Sequence, residues 1–199
     1  FAPLVLHDLA YGRQRRERVS ISNLAEAKYV VRLYLFLRAT YPEHFSAQSR
    51  GDASRGQGHG RVAIIAAYRA QRLLIQRQMR EALGGAAREV EVGTIDGFQG
   101  REKDIVILSC VRAPAESTGS AYGGGVGGSG SIGFLSEPQR MNVALTRARC
   151  ALWVVGHADT LAAAASVGAG AGREWPRWVG WMRSRDQVVH IHEEGEIGA

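Results

Sequence analysis

The chain has 199 residues, 45% of them apolar, with 25 Lys and Arg against 19 Asp and Glu, for a formal net charge of +6. That length suits one sizeable domain with an ordinary core, and the basic balance fits an anionic partner or a merely soluble surface equally well. No apolar run approaches the ~20 residues of a membrane span, so no membrane partner is expected.

The start, Phe1-Ala2-Pro3, has neither an initiator Met nor a basic-then-apolar signal pattern, and reads as the edge of an excised piece. Pro3–Leu6 is a short apolar strand. Tyr11–Arg18 holds five charges and a Gly and reads as an exposed loop; Arg13, Arg15, Arg16 and Arg18 fit a solvated surface, with a nucleic-acid backbone contact as the other reading. A helix opens at Asn23, with Glu26 three residues on in a capping-box pattern. Ala27, Val30, Val31, Tyr34, Leu35 and Leu37 form its apolar face, and Pro42 follows its end. Ser46–Gly60 is polar, Gly-rich and aperiodic, a flexible loop.

Val62–Ala66 is a continuous apolar strand, and Tyr68–Leu83 a helix that stops at Gly84-Gly85. Val90–Thr94 and Ile105–Val111 are strands by their β-branched content and bounding glycines. Ala115–Ser131 is rich in Gly and poor in bulky side chains, so it reads as a mobile insertion. A phosphate cradle there would need a following GKS or GKT, and none occurs. The next helix takes Ser136 or Glu137 as cap and Pro138 in its first turn, with Arg140, Ala144 and Arg147 on one face, where two guanidiniums suit a phosphate ligand. Ala151–Val155 is a strand, Asp159–Ala165 a short helix capped by Asp159, and Ser166–Gly172 a loose linker. Trp175–Arg185 is a helix whose Trp175, Trp178 and Trp181 form a packing edge. Gln187–His192 is an edge strand with His190 and His192 at the surface rather than on a metal, and Glu193–Ala199 is a tail. Cys110 and Cys150 lie in apolar runs and read as buried free thiols of a reducing compartment.

Alternating strands and helices imply an α/β domain, a parallel sheet covered on both faces, with the polar motif loops at the carboxyl ends of its strands. Those loops carry three motifs. TIDGFQGREKDIVILSCVRA and IGFLSEPQRMNVALTRAR resemble motifs V and VI of the superfamily 1B helicases, and IIAAYRAQRLLIQ resembles motif IV, with Ala66-Ala67 where that family more often has Thr-Pro. The string WVVGHADTL adds a likeness to the senataxin branch; the nonsense-mediated-decay branch comes next.

The resemblance implies the second RecA-like domain of such a motor over residues 1–192, with 46–60 and 115–131 as loops and 193–199 as tail. It implies Arg147 as arginine finger, Arg72 as a second cationic arm, Glu102 facing the nucleotide sugar and phosphates, and Gly100 allowing close backbone approach. Gln71, Tyr68 and Arg140 would lie on the nucleotide side, and Thr94, Asp96 and Arg112 on the nucleic-acid side. On this view Arg72, Glu102 and Arg147 converge on one pocket edge. The implied ligands are ATP, Mg²⁺ and single-stranded RNA or DNA, in a nuclear or else cytoplasmic setting, with 5′-to-3′ travel. Neither GxxxxGK[ST] nor an apolar strand ending in Asp-Glu occurs in the chain. In the family these groups, which hold most of the Mg²⁺, belong to the first RecA-like domain, so this piece alone would be inactive. Two other readings stay open: an inactive helicase-like scaffold, and the helicase part of a helicase–nuclease.

Overall fold

In a computed structural model the described residues are 3–42, 61–114, 133–166 and 174–192. The loops expected at 46–60 and 115–131, most of the linker after Ser166 and the tail from residue 193 lie outside them. The described chain runs β1 (Leu4–Leu9), β2 (Arg15–Glu17), β3 (Ser20–Ser22), α1 (Leu24–Thr40), β4 (Val62–Ala66), α2 (Arg69–Leu83), β5 (Glu91–Thr94), β6 (Lys103–Ser109), α3 (Pro138–Leu145), β7 (Ala148–Gly156), α4 (Ala158–Ala162), α5 (Glu174–Arg183) and β8 (Val188–Ile191).

Six strands form one sheet in the order β5-β4-β6-β7-β1-β8, and every pairing in it is parallel. Period-2 alternation explains why both faces are buried. Ile64, Ile107, Trp153 and Val155 point to one side, against Val30 and Tyr34 of α1 and Ile75 and Met79 of α2. Ile65, Val106, Leu108 and Val154 point to the other, against Met141 and Ala144 of α3, Leu161 of α4, and Trp175 and Val179 of α5. Each such side chain contributes about 1.5–3 kcal/mol on burial. This is the RecA-like α/β arrangement expected from the motifs.

Several local expectations give way. Residues 15–22 form the antiparallel hairpin β2–β3 rather than an irregular loop. Asn23 does cap α1, its Oδ1 accepting from Glu26 N at 3.1 Å, yet the Glu26 carboxylate does not turn back to complete a capping box. It lies on the buried face of α1 and reaches the end of β6 instead. α4 is capped by His157, whose Nδ1 accepts from Thr160 N at 3.2 Å; Asp159 pairs with Arg183 instead, at 2.7 Å. Cys110 is buried, but Cys150 is exposed, because β7 begins before β1 does and its first residues have only β6 beside them. Of the three tryptophans, Trp175 is buried and its Nε1 donates to Leu135 O at 2.9 Å, while Trp181 is 41% exposed.

The sheet sorts the motifs by height. β4 and β6 are neighbours, but α2 leaves β4 on one face while α3 packs on the other, so a crevice opens at their carboxyl ends. Residues that precede a strand sit at the opposite, amino end.

Candidate functional site

At the carboxyl end, Ala67 and Tyr68 lead into the first turn of α2, Thr94 ends β5 and Asp96 follows it. Together with Arg69, Arg72 and the hairpin residues Val19 and Ser20 they line a cleft of about 480 Å³. The Nε of Arg72 is buried there without a hydrogen-bond partner. A buried donor without an acceptor costs about 1–3 kcal/mol. Thr94 Oγ1 accepts from Gly97 N at 3.3 Å and lies at the mouth beside Asp96. Asp96 accepts from Arg140 Nε at 3.3 Å, and Arg140 also pairs with Glu137. Tyr68 packs partly into the core, and a Cβ on Gly133 would stand 3.2 Å from its hydroxyl.

Beneath the cleft lies a buried polar network. Gln71 is fully buried: its Oε1 accepts from Asn23 N at 2.8 Å, and its Nε2 donates to Asn23 O at 3.2 Å and Ser109 Oγ at 3.1 Å. Gln71 therefore positions its neighbours rather than touching a ligand. Ser109 Oγ in turn donates to Glu26 Oε1 at 2.6 Å, which also accepts from Val111 N at 2.8 Å. Burial pushes the Glu26 carboxyl up to about 7, against the hydrogen bonds from Ser109 and Val111 that favour its ionised form. Val111 stands at φ 72, a costly place for a β-branched residue. Glu26 holds its N–H, and Asn23 Nδ2 donates to its carbonyl at 3.3 Å. That geometry directs the following residue, Arg112.

The amino end is built differently. Arg147 Nε donates to Val143 O at 2.9 Å, Nη1 to Arg101 O at 3.2 Å and Nη2 to Thr146 Oγ1 at 2.9 Å. Its own carbonyl accepts from Lys103 N at 2.9 Å, which locks it beside Gly100–Glu102. Glu102 pairs with Arg149 at 3.0 Å, Asp104 with Arg61 at 3.6 Å, and Glu91 with Lys103 at 3.0 Å and with Arg101. Burial, then the nearby Arg101 charge, pulls the Lys103 ammonium below its ordinary range. A Cβ on Gly100 would meet nothing within 4 Å, but its φ of 75 requires Gly.

The expected convergence of Arg72, Glu102 and Arg147 is therefore absent. Gly100, Glu102 and Arg147 gather at the amino end, while Arg72 shares a cleft with Thr94 and Asp96 at the carboxyl end. Nor do Arg140 and Arg147 share a helix face. α3 ends at Leu145 with Thr146 as cap, so Arg147 leaves the helix, and the helical spacing rule no longer applies. The reason is geometric: in a parallel sheet, a loop before a strand and a loop after one lie at opposite ends.

Sequence reasoning missed Glu26 and Gly93. The signal for Glu26 was its place on the buried stripe with Val30, Tyr34 and Leu37. Gly93 had none: a Cβ there would stand 2.4 Å from Phe98 Cε2, so the strand makes room for a ring five residues on. Among the described residues no three His, Cys, Asp or Glu side chains cluster as metal ligands, and no helix is long and apolar enough to cross a membrane.

A six-stranded parallel sheet with helices on both faces defines a RecA-like α/β domain. A family profile described as an AAA domain matches residues 1–159, and the chain belongs to that family. It is similar to Helicase SEN1 of Saccharomyces cerevisiae, 35% identical over 166 residues, or 81% of this chain and 6% of that protein. It is similar to the probable helicase senataxin of Homo sapiens, 33% identical over 161 residues, 81% of this chain and 5% of that protein. Regulator of nonsense transcripts 1 of Dictyostelium discoideum is 43% identical over 106 residues, 51% of this chain and 7% of its own length. The senataxin-like likeness followed by the nonsense-decay one agrees with the motifs. The chain spans under a tenth of each of these relatives.

Proposed function

We propose that the chain is the second motor domain of an ATP-dependent RNA or DNA helicase, working in the nucleus, and that its two ends serve two ligands. The family match and the helicase names of its relatives support the class. The observation that carries the division of labour is the fixed guanidinium of Arg147. Three of the five N–H groups of a guanidinium are held by Val143, Arg101 and Thr146, leaving two to face a phosphate presented by a neighbouring domain. The donor set fits ATP, whose β–γ phosphoanhydride is the bond that a motor cleaves. Arg147 would hold positive charge against the departing phosphates, worth about 10³–10⁵ in rate where a finger acts. Glu102 and the Gly100 backbone would flank the sugar. Any Mg²⁺ would be held mainly by the first RecA-like domain, as the motif resemblance implies.

At the other end Thr94, Asp96, Arg112 and Arg72 would hold a single strand by its backbone, fixing register without reading sequence. Ile95–Glu102 joins the two ends directly. By the pairing of Ala66 with Thr94 and Val62 with Ile105, it spans a height of roughly 20 Å at ~3.3 Å per strand residue. Nucleotide-driven closure at the amino end would reach the strand-binding end through that segment.

The test is turnover in the full-length protein. Arg147→Ala should lower ATP hydrolysis by about three orders of magnitude or more while oligonucleotide affinity stays within a few-fold. Wild-type turnover in that variant would remove the finger assignment.

A further inference from the structure

We propose that the β2–β3 hairpin is a third wall of the nucleic-acid cleft, with Arg15 and Arg18 contacting phosphates of a single strand and Val19 giving it an apolar edge. This rests on the reading that the carboxyl-end cleft takes nucleic acid.

Three observations place the hairpin there. Ser20 Oγ accepts from Ala70 N at 3.1 Å, so the hairpin supplies the cap that α2 lacks from Tyr68, its own N-cap residue. Gln14 N donates to Pro114 O at 3.0 Å, which ties the base of the hairpin to the segment carrying Arg112. Val19 and Ser20 line the same cleft as Arg72 and Thr94. The hairpin thus sits between both groups of nucleic-acid candidates.

Its charge suits a polyanion. Arg15, Arg16 and Arg18 are exposed, and none has a carboxylate partner among the described residues. The single acid, Glu17, accepts from Ser22 Oγ within the hairpin. Register then divides the two strand arginines, Arg15 and Arg16, while Arg18 lies in the turn at the tip. Arg15 lies opposite Ser22, and Glu17 opposite Ser20, so these four share the face that Ser20 turns toward α2. Arg16 is paired with Ile21 and lies on the other face.

The turn itself is poorly chosen for stability. A two-residue hairpin connection favours Asn-Gly or Gly-X, because one or both central residues need φ above zero. Here the connection is Arg18-Val19, with Arg18 at φ 49 and Val19 102% exposed. A non-Gly residue in that region is strained, and a bare valine gains nothing from water. A cation and an apolar side chain held at a strained tip fit a contact with something outside the chain, and the cleft beside it determines what.

The experiment measures binding of fluorescein-labelled dT20 and U20 to the full chain by anisotropy across a salt series. Arg15→Gln with Arg18→Gln should weaken binding about tenfold or more and flatten the log–log salt slope by about 1.4, at ~0.7 per phosphate contact on a single strand. Arg16→Gln, on the opposite face, should stay within about threefold. Photocrosslinking of the unsubstituted chain to 4-thiouridine oligonucleotides should label residues 14–22, independently of any folding defect. Binding by the double variant within about threefold of wild type, an equal loss in Arg16→Gln, or no crosslink to the hairpin would overturn the inference. Loss of binding in Thr94→Ala and Arg72→Ala with no effect of the hairpin substitutions would reject the hairpin alone. No effect of either set would reject the cleft as a nucleic-acid site.

Discussion

Most of the arginines at the two ends of the sheet are used differently, although Arg140 at the carboxyl end is also paired, with Asp96 and Glu137. At the amino end Arg147 is fixed on two carbonyls and a hydroxyl, Arg149 on Glu102, Arg61 on Asp104 and Arg101 on Glu91. At the carboxyl end Arg72 has a buried Nε with no acceptor, and Arg15 and Arg18 stand exposed on the hairpin. Preset cations suit a reaction that must find charge already in place, because reorganisation at the moment of reaction is what preorganisation avoids. Unpaired cations suit a strand that binds, slides and leaves, since each contact there can form and release on its own.

The largest expected effect breaks or sharpens this division. Arg72→Ala, assayed beside Arg147→Ala in the full-length protein, should lower oligonucleotide affinity while turnover at saturating nucleic acid stays within about tenfold, against the ~10³-fold or greater loss for Arg147→Ala. Equal turnover losses would return Arg72 to the nucleotide and erase the contrast between the ends.

A second test concerns the network under the cleft, through pH. Glu26 titrates at about 7 when folded, against 4.5 as its ordinary value. Its stabilising contribution is complete below 4.5, falls as pH rises toward 7 because the unfolded chain releases the proton first, and stays low above 7. His7 acts the other way: burial pulls it from 6.5 down to about 4, so its contribution is present above 6.5 and lost as pH falls toward 4. The two slopes oppose each other in wild type. Glu26→Gln removes the first of these slopes, so relative to wild type the variant should gain about 3 kcal/mol between pH 4.5 and 7.5, at ~1.4 kcal/mol per pKa unit. Urea midpoints at both pH values measure it; parallel curves would mean that Glu26 ionises freely.

Smaller effects follow at the glycines and the surface pairs. Gly93→Ala forces the Phe98 ring away from β5 and should cost about 1–3 kcal/mol by thermal melting. Arg149→Ala breaks an ion pair whose two side chains are each 48% exposed, so it should change stability by less than about 1 kcal/mol. A larger loss would show that the amino-end charges hold the fold as well as a ligand surface.

Much of this was legible from residue order. The parallel sheet followed from continuous apolar runs such as Val62–Ala66, and α1 from its Asn23 cap and apolar stripe. Which end of the sheet each motif residue occupies was not legible, because Thr94 and Glu102 lie eight positions apart in sequence and at opposite ends of a sheet. Glu26 looked like a local cap, since its partners Ser109 and Val111 come more than 80 residues later. The hairpin was hidden because Arg18-Val19 carries none of the usual turn residues.

The segment from Thr94 to Lys103 has one more consequence. Nine residue steps could reach about 30 Å when fully stretched, and they already cover roughly 20 Å. Phe98 is pinned in the core midway along it, and Arg101 N is tied back to Phe98 O at 3.0 Å. Those two ties leave the cord less slack than its length alone would allow. A displacement at one end is passed to the other instead of being absorbed, so if the two ends serve the two ligands proposed above, lengthening the segment by a few glycines should leave binding at each end intact and uncouple them.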